Sequence, residues 1–221
     1  MKPGENQRRW RTLLFRLAVM AVVLGLWFWT QSLLGARSAP ASGVGDTLHN
    51  LTASLHAYFS KNPAAANALL IASSAFIDGL GLFLLGRWLF GRSVRPFLGL
   101  VLLMLLRQLL EALCSLPVPP GMIWHYPGFP SLLVTYQVAN DFFFSGHTAI
   151  AVYAALELSR FRRKWLTAAA VLIVFFEIAT VLILRAHYTM DVFAGLLAAL
   201  VVARASERLS PALDRRLTAE G

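Results

Sequence analysis

The sequence predicts an all-α integral membrane bundle of six transmembrane helices with both termini in the cytoplasm. Three observations predict it. The 221 residues are 57% hydrophobic and only 14% charged, with a mean hydropathy of +0.62, whereas a soluble domain carries about 25% charged residues. The apolar residues come in long blocks, and a hydrocarbon core about 30 Å thick needs roughly 20 of them per helix. The basic residues are confined to alternate loops, which orients the bundle. The chain divides into a basic N-terminus over 1–12, one membrane domain over 13–204 and a cytoplasmic tail over 205–221, with no room for a second, soluble domain.

The first span runs from Leu13 to Leu34, behind Lys2, Arg8, Arg9 and Arg11. Its apolar run exceeds the 7–15 residues usual for a secretory signal, so it reads as a retained helix and not a cleaved one. Arg16 lies near the inner end, where its long stem can snorkel to the headgroups. In the loop 35–65, Leu48, Leu51, Leu55 and Phe59 recur at helical spacing, which predicts a short helix lying in the interface. His49 and His56 on it read as ordinary surface residues. The second span covers Ala66 to Leu85 and the third Pro96 to Leu113. A loop of Pro, Gly and aromatic residues follows from Ser115 to Asn140, of which Leu132 to Val138 is a candidate re-entrant segment. The fourth span begins at Ser145 and ends at Leu158, the fifth runs from Trp165 to Leu184, and the sixth from Tyr188 to Val202.

The N-terminus, the 2–3 and 4–5 loops and the tail hold nearly all the arginines, including Arg87, Arg92, Arg95, Arg160, Arg162 and Arg163. The opposite loops hold Arg37, Lys61 and Arg185. The net charge of +9 is therefore a membrane-orientation signal and not the footprint of a nucleic-acid partner. The single cysteine, Cys114, excludes an internal disulfide and a thiolate metal cluster. No metal or other cofactor is called for.

Two clusters carry chemistry, and the charge pattern places both on the outer face. Ser145-Gly146-His147-Thr148 opens the fourth span, and His187-Tyr188-Thr189-Met190-Asp191 opens the sixth. His187 and Asp191 are four apart and share a helical face. Asp191 is then expected to accept a hydrogen bond from one imidazole nitrogen, freeing the other to react. Ser145 and Gly146 place backbone N–H groups at a helix start, where the dipole favours a phosphate. His147, in the same turn, is positioned to protonate a departing oxygen. The bland alternative, interfacial histidines satisfied by headgroups or water, is weakened by two clusters meeting on one face.

The SGH element followed by H-x-x-x-D resembles the type 2 phosphatidic acid phosphatase superfamily, and more closely its sphingomyelin synthase branch. There the second element reads H-Y-T-x-D-V, as His187 to Val192 do here. Leu116-Pro117-Val118-Pro119, with Gly121-Met122 after it, is similar to the branch's L-P-V-P-G-M. Arg107 stands ten residues before Pro117, as the branch's arginine does, and Asp141 matches the aspartate of its G-D-x-x-x-S-G-H-T element. The K-x-x-x-x-x-x-R-P and S-R-x-x-x-x-x-H-x-x-x-D elements of other branches are missing. Arg95-Pro96 has Trp88 seven residues upstream and reads as a cytoplasmic anchor, while Val181 occupies the position six before His187.

The resemblance implies that His187 attacks a lipid phosphorus to give a phosphohistidine, that Asp191 orients His187, and that His147 protonates the leaving oxygen and then deprotonates the acceptor. The substrates would be a phospholipid donor and a lipid alcohol of the ceramide or diacylglycerol type. A hydrolase using water, a phosphatase or phospholipase C-like enzyme, is the alternative with the same site. A non-catalytic lipid transporter or binding protein is the alternative of another class, and the His147, His187 and Asp191 set argues against it. Ser145, Gly146 and Thr148 are candidates for holding the phosphate, together with Arg185, the nearest cation on the correct face. Arg107, about 10 Å below the outer end of its helix, pairs with Glu111, binds phosphate, or does both. Asp141, Glu111 and Tyr188 are candidate supporting residues, with Glu111 outside the family pattern. Asp78 and Glu177, deep in their spans, read as partners within the bundle. Phe142, Phe143 and Phe144 read as interface anchors. Trp124, Tyr126 and Tyr136 are a candidate cage for a cationic headgroup.

Overall fold

The computed structural model describes residues 3–36, 44–136 and 142–219, and the ordered elements among them are eight helices. In chain order they are α1 (Pro3–Gly35), α2 (Thr47–Leu51), α3 (Ala53–Lys61), α4 (Pro63–Phe90), α5 (Arg95–Leu113), α6 (Gly146–Ser159), α7 (Lys164–Ile183) and α8 (Thr189–Ala219). Pro63 and Pro96 sit in the first turns of α4 and α5, where a missing N–H costs nothing and the fixed φ is already helical.

Five helices, α1, α4, α5, α7 and α8, are long and apolar enough to cross a membrane. Each covers one of the expected spans to within one residue at either end. The expected fourth span is α6, whose 14 residues measure about 21 Å. Its shortness has a local cause: the Ser145 turn starts it late, and Arg162, with φ 54°, follows its end within three residues. Beyond the expected end of the sixth span at Val202, α8 runs on helically to Ala219.

The short α6 is the hub and packs on α4, α5, α7 and α8. Lipid tails are as apolar as leucine, so close packing rather than water exclusion holds such helices together. Gly99 of α5 gives its Cβ space to the ring of Tyr153, a fully buried residue of α6, whose hydroxyl donates to the Arg95 carbonyl at 2.9 Å. Gly195 of α8 similarly lies against the Ser145 carbonyl. At the basic end of the bundle, Arg95 is bidentate on Glu157 at 2.9 and 3.0 Å, and Arg160 joins Glu157 to Glu207. Arg16 does not reach outward. Its guanidinium donates to the carbonyls of Trp88, Leu89 and Gly91 at 2.9–3.1 Å, satisfying the bare C-terminal carbonyls of α4.

The segment between α5 and α6 descends into the bundle along one face of α4. His125 meets Asn67, the Tyr136 hydroxyl meets Ser74, Asp78 receives Ser131 and the N–H groups of Leu132 and Leu133, and Leu133 lies on Gly81. Asn67 to Gly81 is about 21 Å of helix. Residues 132–136 of the expected re-entrant segment thus run beside mid-helix in non-helical conformation, while 137 and 138 lie outside the described residues. Asp78 makes this possible by accepting from Ser131 Oγ at 2.9 and 3.0 Å and from the two amides at 2.8 and 2.9 Å. Irregular backbone at such depth needs protein partners for its polar groups. Glu177 accepts from Ser73 at 2.6 Å, tying α7 to α4.

Candidate active site

The site is built where two irregular turns meet helix α5. The first is the start of α6. Ser145 is its N-cap, accepting from the Thr148 amide at 3.4 Å and from the Thr148 hydroxyl at 3.1 Å. The Ser145 amide is already engaged by the Asp191 carbonyl at 3.0 Å. Ser145 and Thr148 therefore shape the turn and knit it to α8, while Gly146 and His147 face the space beyond.

The second turn joins α7 to α8. The Arg185 amide donates to Leu182 and the Ala186 amide to Val181, at 3.2 and 2.8 Å, with Arg185 at φ 55°. This is a Schellman ending with arginine where glycine is usual. It reverses the chain so that His187 faces back into the bundle. His187 Nδ1 lies 2.9 Å from the Phe142 carbonyl oxygen and 3.7 Å from Asp191 Oδ2. A carbonyl only accepts, so Nδ1 carries the proton and Nε2 is the basic nitrogen. The expected hydrogen bond from His187 to Asp191 is thus replaced by one from His187 Nδ1–H to the Phe142 carbonyl. Asp191 Oδ2 instead accepts the Tyr188 amide at 2.9 Å, closing the first turn of α8, and stays close enough to act on His187 through its charge.

The third element is Arg107 on α5. Its Nη1 is 2.7 Å from Glu111 Oε1, its Nε donates to the Phe144 carbonyl at 3.0 Å, and it reaches Gln31 of α1 at 3.4 Å. Pairing with a fully buried carboxylate offsets part of the desolvation cost of a cation at this depth.

His147, His187, Arg107 and Gly146 line one cleft. Below this polar end its walls are apolar: Ile77 of α4, Leu103 and Met104 of α5, Leu133 and Val134 of the descending segment, and Ala149 and Ile150 of α6. Trp124 closes one side, its ring edge-on to His147 with centroids 5.1 Å apart. Trp124, Tyr126 and Tyr136 form one cluster, with Trp124 and Tyr126 at 5.3 and 6.3 Å from Tyr136.

Two expected site residues lie elsewhere. Arg185 does not line the cleft; its Nη1 donates to the Pro120 carbonyl at 2.8 Å and holds the Pro-rich loop to the α7–α8 turn. Tyr188 is buried outside it, stacked on His49 with centroids 5.6 Å apart. Asp141 lies outside the described residues.

Reading His49 and His56 as surface residues is corrected. Both are buried, at 5% and 8% exposure. His49 Nε2 donates to the His187 carbonyl and His56 Nδ1 to the Ile183 carbonyl, each at 2.9 Å. The apolar stripe that betrays the α2–α3 helices points outward, with Leu51 and Leu55 exposed. The histidines, seven apart, share the inward face. That spacing was the available signal.

A family described as AtPDCT1/2 matches residues 45–208. Among curated proteins, phosphatidylcholine:diacylglycerol cholinephosphotransferase 1 of Arabidopsis thaliana is 25% identical over 167 residues, which cover 76% of this chain and 53% of the relative. The chain thus spans about half the length of the curated relative it matches. No solved structure gives a significant match.

Proposed function

The chain belongs to the AtPDCT1/2 family, and from that premise we propose that it moves a phosphorylated headgroup from a phospholipid to a lipid alcohol. The observation that carries this reading is the cleft itself: two histidines and an arginine at one end, apolar walls at the other. That polarity suits a lipid phosphodiester, and the relative's printed activity, cholinephosphotransfer between phosphatidylcholine and diacylglycerol, is of the same class. The ordered elements from Arg107 to Val192 support kinship with sphingomyelin synthases in the type 2 phosphatidic acid phosphatase superfamily.

The reaction proceeds in two halves. His187 Nε2 attacks the phosphorus, the P–O bond to the glyceride breaks, and His147 gives its proton to the departing oxygen. The headgroup phosphate is now bonded to His187. An acceptor hydroxyl then loses its proton to His147 and its oxygen displaces Nε2 from phosphorus, restoring the enzyme. Phe142 keeps the proton on Nδ1 throughout, and the Asp191 carboxylate stabilises the positive charge that builds on the ring. Arg107 offers N–H groups to the phosphoryl oxygens.

The bundle is read as crossing the membrane six times, α6 being the short fourth crossing, with both termini cytoplasmic and the cleft on the non-cytoplasmic face. The distribution of arginines supports this orientation. After Cys114 is replaced, a cysteine near Gly121 should react with impermeant reagents from outside and one near Arg163 should not. The reverse result would reject it.

Activity is tested with purified protein in liposomes containing labelled phosphatidylcholine or phosphatidylethanolamine, with and without diacylglycerol or ceramide, and products identified by mass spectrometry. Labelled headgroup on the acceptor, together with an acid-labile phosphoprotein that His187→Ala abolishes, is the expected result. Release of free phosphocholine alone would make the protein a hydrolase. Wild-type turnover in His187→Ala would discard the mechanism.

A further inference from the structure

We infer that Asp46 and His49 are positioning residues for His187, acting through the backbone on either side of it; this rests on the reading of His187 as the nucleophile. The α7–α8 turn has no regular structure of its own over Leu184–Tyr188, yet a nucleophile misplaced by about 1 Å loses on the order of 100-fold in rate. Its polar groups are therefore the ones whose partners matter. The Ile183 carbonyl receives His56 Nδ1, the Leu184 carbonyl receives the Ile123 amide at 2.8 Å, the His187 amide donates to Val181 at 3.3 Å, and the His187 carbonyl receives His49 Nε2. One residue past Tyr188, the Thr189 amide and hydroxyl both donate to Asp46, at 2.5 and 2.7 Å.

Asp46 and His49 form a unit. Asp46 caps α2 through the Leu48 and His49 amides, at 2.9 and 3.3 Å, while its carboxylate also holds Thr189. One side chain thus sets both the start of the helix that carries His49 and the start of α8. The His49 ring stacks on Tyr188, so it grips the turn by its carbonyl and by the neighbouring side chain. Neither Asp46 nor His49 lines the cleft. Their effect on the reaction runs only through where they hold the His187 backbone, and so where Nε2 points.

The experiment compares His49→Ala, His49→Gln, Asp46→Ala and, as a control on the exposed side of α2, Leu51→Ala in the liposome assay. It adds hydrogen exchange by mass spectrometry across the whole chain. The expected result is a fall in kcat of about 10- to 100-fold in the two alanine variants, with KM within about twofold of wild type. Gln, whose amide can still donate to the His187 carbonyl, should recover most of that loss, and Leu51→Ala should match wild type. Exchange should rise over 183–190 and stay unchanged in α4 and in α7 before Ile183. Unchanged kcat, a KM effect alone, no difference between Ala and Gln, or exchange raised throughout the bundle would each overturn the inference. If wild-type protein transfers no headgroup, the functional reading fails separately. Exchange confined to 183–190 would then still uphold the brace, and its absence would reject it.

Discussion

His187 donates a hydrogen bond from Nδ1–H to the carbonyl oxygen of Phe142, 2.9 Å away. The chain just ahead of α6 thereby selects the tautomer of a ring at the head of α8, two turns that sequence places 45 residues apart. A main-chain acceptor takes up no proton in the physiological range and cannot be mutated away. The carboxylate of Asp191, at 3.7 Å, is released from holding the proton and left to act by charge.

Asp191→Asn separates those two roles. The amide oxygen can still accept the Tyr188 N–H, so α8 should start normally and the thermal midpoint should shift little. The lost charge is worth roughly 1–4 kcal/mol at this distance, between dielectric constants of 80 and 20. Turnover should drop by roughly ten- to a thousandfold, measured as kcat in liposomes. An Asn variant as active as wild type would mean that the charge at 3.7 Å does nothing.

The two arginines assigned to phosphate from sequence should behave differently. Arg107→Lys keeps a charge beside Glu111 but loses the planar fork, and should cut kcat/KM by about 100-fold, or 2.7 kcal/mol. Arg107→Met leaves Glu111 buried without its cation and should cost about 3–5 kcal/mol of stability. Arg185→Gly relieves a left-handed residue, a conformation that costs L-residues about 1–2 kcal/mol, and removes the bond to Pro120. It should retain turnover within about tenfold. Parallel kinetics and thermal unfolding in detergent check all three.

What was legible in the sequence followed from patterns with one dominant cause. Apolar runs long enough for a bilayer located α1, α4, α5, α7 and α8, and local spacing put Ser145 to Thr148 and His187 to Asp191 at helix starts. The partners of those residues were not legible, because they are main-chain atoms. The Phe142, Phe144 and Pro120 carbonyls have no sequence signature, and they decide where His187, Arg107 and Arg185 point. His49 and His56 were misread for a related reason: beside a bilayer the apolar face of a short helix turns outward, so the usual inside-out inference reverses.

Asp78→Ala should loosen the descending segment. It deprives Ser131 and the Leu132 and Leu133 amides of their acceptor, at about 2–4 kcal/mol in total. A lower thermal midpoint, with new protease cleavage between Trp124 and Tyr136, is the expected outcome. Asp78→Asn, which retains an acceptor oxygen, should lose less. Because Leu133 and Val134 wall the cleft, KM for the lipid acceptor should rise in both.

The brace at Asp46 has a defined pH limit. Burial pushes its carboxyl upward, but the hydrogen bonds from Thr189 and His49 and the attraction of His49 outweigh it and hold the group below its ordinary 3.8. A lowered carboxyl stabilises the folded state above the unfolded value and loses that contribution as pH falls through the folded one. Thr189 amide exchange, corrected for its intrinsic rate, should therefore stay slow from pH 8 to about 4 and quicken only below 3.8. Asp46→Asn should flatten that dependence. Quickening already at pH 6 would place control elsewhere.

The 14 residues of α6 make the reaction a matter of bilayer thickness. With α6 as the proposed fourth crossing, its length of about 21 Å falls some 9 Å short of a typical hydrocarbon core, which sets His147 in its first turn, and His187 in the same cleft, below the surface. A phospholipid must sink, or the bilayer must dimple, before phosphorus and Nε2 meet. Host lipids with shorter acyl chains reduce that distance, so turnover should climb as the chains of the surrounding liposome are shortened at constant substrate.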